Sequence, residues 1–542
     1  MGYLIAIAMV ISTIMIWRVC VILFWRPYAV RKHFRKQGVT GPPCYSFLHG
    51  SLHDMKIMMK DARKAIMDKH SHDITQRVLP HYHIWSSLYG ERFLYWYGTE
   101  PRICITDAEL VKEILSNKFG FYEKPKVRPS IVTLMGNGLL LVTGVDWVKH
   151  RRILNAAFSM DKLKGMISRM ATCTISMLDE WKRQLAIEAK NKSLTIEMCE
   201  EFRELTSAII AHTFFGTSFA HGKEAFNAQT KLQHLIAASS FDVFIPGIQY
   251  IPTRKNLEIW KLDRKITKSL QCIIESRLNS QSDSSFYGDD LLDIMMDTKN
   301  DGPNKLNMNE IMEECKTFFF AGHEATSHLL VWTVFLLSLH KDWQEKLRQE
   351  VMQICGMEIP DPDMLSNLHK DWQEKLRQEV MQICGMEIPD PDMLSKLKMV
   401  NMVLLEALRL YCPVIELVRM ASKDMKLGDL MIPRGTGLVI PITMIHRSKE
   451  YWGEDSNDFN PMRFINGAFK AAKHPNALLP FSMGPRNCIG QKFSMMQAKT
   501  VIALILQRFS WSLSPDYQHA PDKNLTLQPQ HGLPIIVKPL QL

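Results

Sequence analysis

The 542-residue chain has no C-x-x-C pair, no acidic residue before Asp54 and no low-complexity tract between residues 46 and 542. Its eleven cysteines lie singly. Their odd number and low density exclude a disulfide scaffold, and the missing C-x-x-C pairs exclude the common zinc sites. Most therefore read as small buried hydrophobes in a reducing compartment. The missing acids explain much of the net charge of +10. Arg18, Arg26, Arg31, Lys32, Arg35 and Lys36 all fall in the first 53 residues, and without that segment the excess drops to +4. The basicity is local, so no nucleic acid is expected as a partner.

The N-terminus also lacks a charged side chain ahead of its apolar run, as a cleaved signal peptide would carry. The run itself extends from Tyr3 to Trp25, interrupted only by Ser12, Thr13 and Arg18. As a helix it would span about 35 Å, enough for a bilayer core. Positive residues follow it, and Trp17 and Trp25 suit a membrane interface. Residues 3–25 are thus expected to be a single-pass transmembrane anchor in lipid. Residues 26–45 are expected to be a basic, Pro-rich linker containing Gly41-Pro42-Pro43, and 46–542 one cytosolic domain.

With 46% hydrophobic and 23% charged residues, that domain can bury a large core. Strand-like stretches are few: Arg92–Tyr97, Arg102–Thr106, Met431–Ile432 with Leu438–Pro441, and Pro534–Val537. The expected fold is mainly α with small β-sheets. The longest predicted helix runs from about Met308 to Leu339, with Asn307 and Glu310 as a capping box. One feature is abnormal: Leu339–Ser366 recurs unchanged as Leu368–Ser395. Repeat architectures need three or more diverged units. Two identical copies point instead to a recent duplication or a faulty gene model. One copy is expected to be integral and the other to bulge from the surface.

Four motifs carry chemistry. In Phe481-Ser-Met-Gly-Pro-Arg-Asn-Cys-Ile-Gly-Gln-Lys-Phe493, Gly484 and Gly490 permit a tight loop, and an apolar helical run follows Cys488. A helix N-terminus beside a sulfur favours the thiolate. A lone cysteine would read as structural; the full spacing Phe481, Gly484, Arg486, Cys488, Gly490 does not. Glu406-Ala-Leu-Arg409 sets an acid and a base on one helix face among leucines. Trp147-Val-Lys-His-Arg151 places Trp147 and Arg151 one turn apart. Ala321-Gly-His-Glu-Ala-Thr-Ser327 lies within the long helix, where Gly322 removes bulk and Glu324 can relay protons.

The cysteine segment resembles the cysteine loop of the cytochrome P450 family, and the other motifs follow in that family's order. The clan containing fatty-acid, brassinosteroid and cytokinin hydroxylases is the most similar. The resemblance implies a cytochrome P450 fold with haem b (iron protoporphyrin IX), Cys488 as axial iron ligand and Phe481 shielding the sulfur. It implies Arg486, Trp147, Arg151 and Arg419 at the haem propionates, with Gly490 beside the ring. It pairs Glu406 and Arg409 with Arg463 of Pro461-Met-Arg463-Phe464 as a structural network. Glu324 and Thr326 are the implied catalytic side chains, although the family's usual threonine position holds Ala325. Thr326 comes about 100° further round the helix.

The implied activity is monooxygenation of a hydrophobic small molecule such as a fatty acid, terpenoid or hormone-like compound. O2 would be the oxygen source, with electrons from NADPH through NADPH-cytochrome P450 reductase. Lys149, Arg152 and Lys492 could help dock that donor. The implied location is the endoplasmic reticulum membrane. Substrate contacts are expected around Tyr122–Leu141, Ala211–Ile251, Phe319–His323, Val414–Val418 and Leu525–Gly532. Ala325 motivates an alternative, reductase-free rearrangement of a peroxide. The duplication motivates another, a catalytically impaired haem-binding protein.

Overall fold

The computed structural model describes residues 2–44, 48–187, 193–216, 219–280, 290–296, 305–340, 372–384 and 388–540. Gly2–Arg35 is one helix of 34 residues, and the apolar window long enough to cross a bilayer has no buried residue. A π-helical turn, Val21–Trp25, joins its two α-helical parts. The basic stretch is therefore not a plain linker. Val30 and Phe34, one turn apart, bury against the body, because an i, i+4 apolar pair gives even a charged helix one dry face. Arg26 donates to the Gly435 carbonyl at 3.2 Å, and Gln37 to that of Met431 at 3.1 Å. Beyond the helix, Gly41 lies against a strand so closely that a Cβ there would sit 1.9 Å from the Leu94 carbonyl oxygen.

The body is mainly helical around small sheets. The largest sheet runs Leu94–Tyr97, Glu100–Cys104, Gly437–Ile440, Leu417–Ala421, Tyr122–Glu123. Its second and third strands are parallel and the other pairs antiparallel. A second sheet joins Pro534–Pro539 to Leu194–Glu197 and Phe509–Leu513. The long helix covers Met308–Leu339, the bounds expected, with both hydrogen bonds of the Asn307–Glu310 capping box formed. Nearly all of it is buried, so it crosses the core instead of lying on it.

The second copy of the duplicated segment supplies the integral helix, Trp372–Cys384. Leu376 and Val380 are fully buried. Arg377 donates to the carbonyls of Leu506 and Phe509, and Glu379 accepts from the backbone N–H groups of Met399 and Val400. Those two N–H groups open the helix Lys398–Leu410, so Glu379 also caps it. Of the first copy, only Leu339 and His340 fall within the described residues, and the expected surface bulge lies outside them.

This arrangement makes a direct prediction. Leu376→Asp should cost more than about 3 kcal/mol, because it buries a charge without a partner. Leu347→Asp, the same change in the first copy, should stay within about 0.5 kcal/mol because the groove is already filled. Deleting Leu339–Asn367 should preserve haem loading and thermal midpoint. Equal damage from both aspartates would show that each copy is needed.

Candidate active site

The cysteine loop is shaped by its own backbone. Cys488 N–H donates to the Phe481 carbonyl at 2.9 Å, and Asn487 N–H to that of Gly484 at 3.1 Å. Gly484 is left-handed at φ 73, and a Cβ there would meet the Leu115 carbonyl oxygen at 2.2 Å, so only glycine fits. Gly490 differs from expectation. Its φ is an ordinary −86, and a Cβ would meet nothing of the protein nearer than Phe158 at 3.9 Å. Its value to the loop is the open space beside it, not backbone freedom.

The helix Gln491–Arg508 starts directly after Gly490. Cys488 is exposed by area, yet burial pushes its thiol pKa up. Both hold only where a sulfur faces an opening inside the protein. A hydrogen bond from Gly490 N–H and the charge of Arg151 act in the opposite direction, toward thiolate.

Arg151, on the helix Gly144–Asn155, clamps the loop itself. Its two terminal nitrogens donate to the Asn487 carbonyl at 2.8 Å and to Asn487 Oδ1 at 3.0 Å. These bonds use two of its five N–H donors, and three are left for the expected propionate contact. Lys149 is engaged as well, at 2.8 Å from Glu310, so it is not a free docking charge. Trp147 lies under the guanidinium of Arg486, 4.7 Å from ring centroid to Cζ.

Arg486 donates to the Val142 carbonyl at 2.9 Å, while its buried Nη1 has no partner. Burial brings the pKa of Arg419 down to about 10. Burial and the charge of Arg419 do the same to Arg486. Burial, then Arg419 and Arg486, bring Lys124 down to about 7. Three cations thus repel one another where the protein desolvates them. Lys124 has no signal in the sequence, because Glu-Lys-Pro-Lys is no motif; only the fold sets it beside two arginines.

The long helix forms another wall. Ala321 is exposed and Ala325 half-buried, four residues apart on one face, and Gly322 is half-buried as well. Gly322 does not share that face. A Cβ there would lie 2.7 Å from Ile210 Cδ1, so its smallness serves packing against the helix Met198–Phe214, correcting the expected role at oxygen. Thr326 is corrected too: its hydroxyl pairs with Ser494 at 3.0 Å, tying the long helix to the cysteine-loop helix.

Glu324 is buried, with Oε1 accepting from Gln233 at 2.6 Å and Thr526 at 2.9 Å. Burial opposes its ionisation, but neighbouring His328 and His323 and these two donors outweigh it, so its pKa lies below the ordinary value. His323 and His328 pack in the core.

These residues fit a flat, iron-bearing dianion. An accessible sulfur faces an opening, and Gly490, Ala321 and Ala325 leave space. The desolvated cations form no ion pair among the described residues, with only the more distant charge of Glu123 acting on Arg486. The cytochrome P450 family model matches residues 75–369 and 364–537, two stretches that overlap inside the duplicated segment. The chain belongs to the cytochrome P450 family. It is 48% identical to cytochrome P450 709B1 of Arabidopsis thaliana over the full length of both chains. It is 40% identical to cytochrome P450 734A1 of the same plant, covering 98% of this chain and 96% of that one. With a cytokinin hydroxylase of Arabidopsis thaliana the identity is 39%, over 96% and 94%.

As a cytochrome P450 the protein is a haem-thiolate monooxygenase that uses haem iron, O2, a redox partner and a hydrophobic substrate. The cytochrome P450 scaffold beneath the site rests on Glu406. Arg409 donates to both its oxygens, at 2.7 and 2.8 Å, and Arg463 adds a third bond at 3.1 Å. Asp455 pairs with Arg463 at 3.1 Å, so an acid reaches that arginine although Met462 is apolar.

Proposed function

We propose that this monooxygenase hydroxylates a hydrophobic small molecule of fatty-acid, terpenoid or hormone type, on haem b held by Cys488. Electrons would come from NADPH through a membrane-bound flavoprotein reductase at the cytosolic face of the endoplasmic reticulum. The observation that carries the ligand assignment is Cys488, accessible in area yet desolvated, on a loop that Arg151 clamps and toward whose thiolate the Arg151 charge acts. When bound, thiolate-ligated haem supplies the oxidising power. Lys124, Arg419 and Arg486 hold the propionate charge. Ala321 and Ala325 keep the oxygen side apolar and dry, and Glu324 takes up and passes on a proton.

Exposed Phe244, Ile245, Ile248, Tyr250 and Ile251 form an apolar stretch that supports contact with lipid alongside the anchor. Four of the five expected substrate segments line one cavity of about 730 Å³; Phe319–His323 does not. Product carrying label from dioxygen, with NADPH consumed, tests the reading.

A second reading, peroxide rearrangement without a reductase, is favoured by one observation. The face of the long helix toward the opening carries Ala325, and Thr326 is engaged elsewhere. Unlabelled product formed without NADPH would establish it. Under the first reading, Ala325→Thr should raise product per NADPH by up to about 10-fold. That is less than the ~100-fold a positioned proton donor can give, because Glu324 still serves. Peroxide release should fall in parallel, and no change in coupling would remove proton delivery as the limiting step.

A further inference from the structure

The cavity of about 730 Å³ has the size of a small-molecule chamber. Leu52, Met55, Ile131, Ile236, Phe244 and Leu525 give it an apolar part, while Lys56, Lys60, Arg63, Lys126 and Arg128 also line it. Into this lining two segments far apart in sequence deliver opposite charges. Glu416 precedes the strand Leu417–Ala421, and Lys523 lies on the hairpin strand Pro521–Asn524. Lys523 Nζ donates to Glu416 Oε1 at 2.5 Å, and the two side chains are 23% and 22% exposed. The pair is therefore neither buried nor on the outer surface; it stands in the chamber wall. Glu416 Oε2 is buried without a hydrogen-bond partner, and Oε1 is the oxygen that Lys523 holds.

A part-desolvated ion pair gives little stability over apolar residues of the same volume. Beside the apolar part of the wall, and with Lys56 and Arg63 held by Asp242 and Asp522, this pair presents polar groups to a ligand. Lys523 has two further N–H groups to donate and Oε1 has a free lone pair, side by side. A hydroxyl, which both donates and accepts, satisfies them together. A carboxylate would meet the charge of Glu416, and an ammonium that of Lys523. The nearby Arg102–Glu100 pair is likewise neutral as a unit, with its guanidinium 3.9 Å over the Tyr97 ring.

Resting on the monooxygenase reading, we infer that the Glu416–Lys523 pair is the polar anchor of this chamber. It selects a neutral, largely apolar substrate that already carries a hydroxyl group. The reaction that supplies such a substrate would be one that installs or uncovers a hydroxyl, such as an earlier hydroxylation or a carbonyl reduction.

Calorimetric titration of the full-length holoprotein with octane, 1-octanol and octanoate tests the inference. 1-Octanol should bind about 10-fold or more tighter than octane, the effect of hydrogen bonds to charged groups. The double variant Glu416→Leu with Lys523→Met keeps the wall neutral and should erase that preference while octane binding persists. An unchanged preference in the double variant would overturn the inference, as would octanoate binding tighter than 1-octanol through the exposed Lys60 and Lys126 of the same lining. The reduced, CO-bound spectrum of each protein reports haem ligation separately. A failed haem reading and a failed anchor therefore give different results.

Discussion

Replacing Cys488 by serine is expected to abolish the thiolate Soret band of the reduced, CO-bound protein and bring turnover to background, with the fold intact. The expectation follows from where the sulfur sits. Its loop is held by the Phe481 and Gly484 carbonyls and by Arg151 on Asn487, none of which involves the sulfur. A serine hydroxyl accepts the Gly490 N–H but does not ionise, so it cannot push electron density toward iron as a thiolate does. Loss of the band with unchanged far-UV circular dichroism is the supporting result. A variant that keeps the wild-type band would move the axial ligand elsewhere.

Glu406→Leu is expected to cost about 3–5 kcal/mol, because it strands two guanidinium groups the fold has already desolvated. Arg409 is fully buried. Its remaining partners are the carbonyls of His446, Ser456 and Asp458, with the Trp452 ring 5.0 Å away. Those carbonyls satisfy its protons but not its charge. Arg463 keeps Asp455, so most of the penalty falls on Arg409. The double variant Glu406→Leu with Arg409→Leu should recover part of the loss, and a double-mutant cycle by chemical denaturation measures it. Additive losses would show that the pair is not coupled. Haem loading should follow stability, since the helix Lys398–Leu410 packs against both the long helix and the cysteine-loop helix.

Several site features were legible because they are local. The capping box set the start of Met308–Leu339, and the glycine needed at a left-handed turn marked the loop before Cys488. Other features were misassigned because one-dimensional spacing says which residues share a helix face but not which neighbour that face meets. Gly322 was read as space for oxygen, yet Ile210 claims that side. Thr326 was read as catalytic, yet Ser494 holds its hydroxyl. Arg151 is expected at a propionate, and only the fold shows that two of its five N–H donors also clamp Asn487.

The amino-acid order by itself determined the family, the thiolate candidate, the apolar N-terminal helix and the long core helix. Each depends on residues within a turn or two of one another, where hydrogen bonding and periodicity act directly. The place of Lys124 beside Arg419 and Arg486 and the Glu416–Lys523 pair were decided only in three dimensions, because Lys124 lies about 300 residues or more from its two arginines and the pair is 107 residues apart. Which duplicated copy docks was decided there too. Identical sequences have identical local free energies, so the choice falls to the groove and its joins. Met399 and Val400, whose N–H groups Glu379 caps, follow the second copy directly.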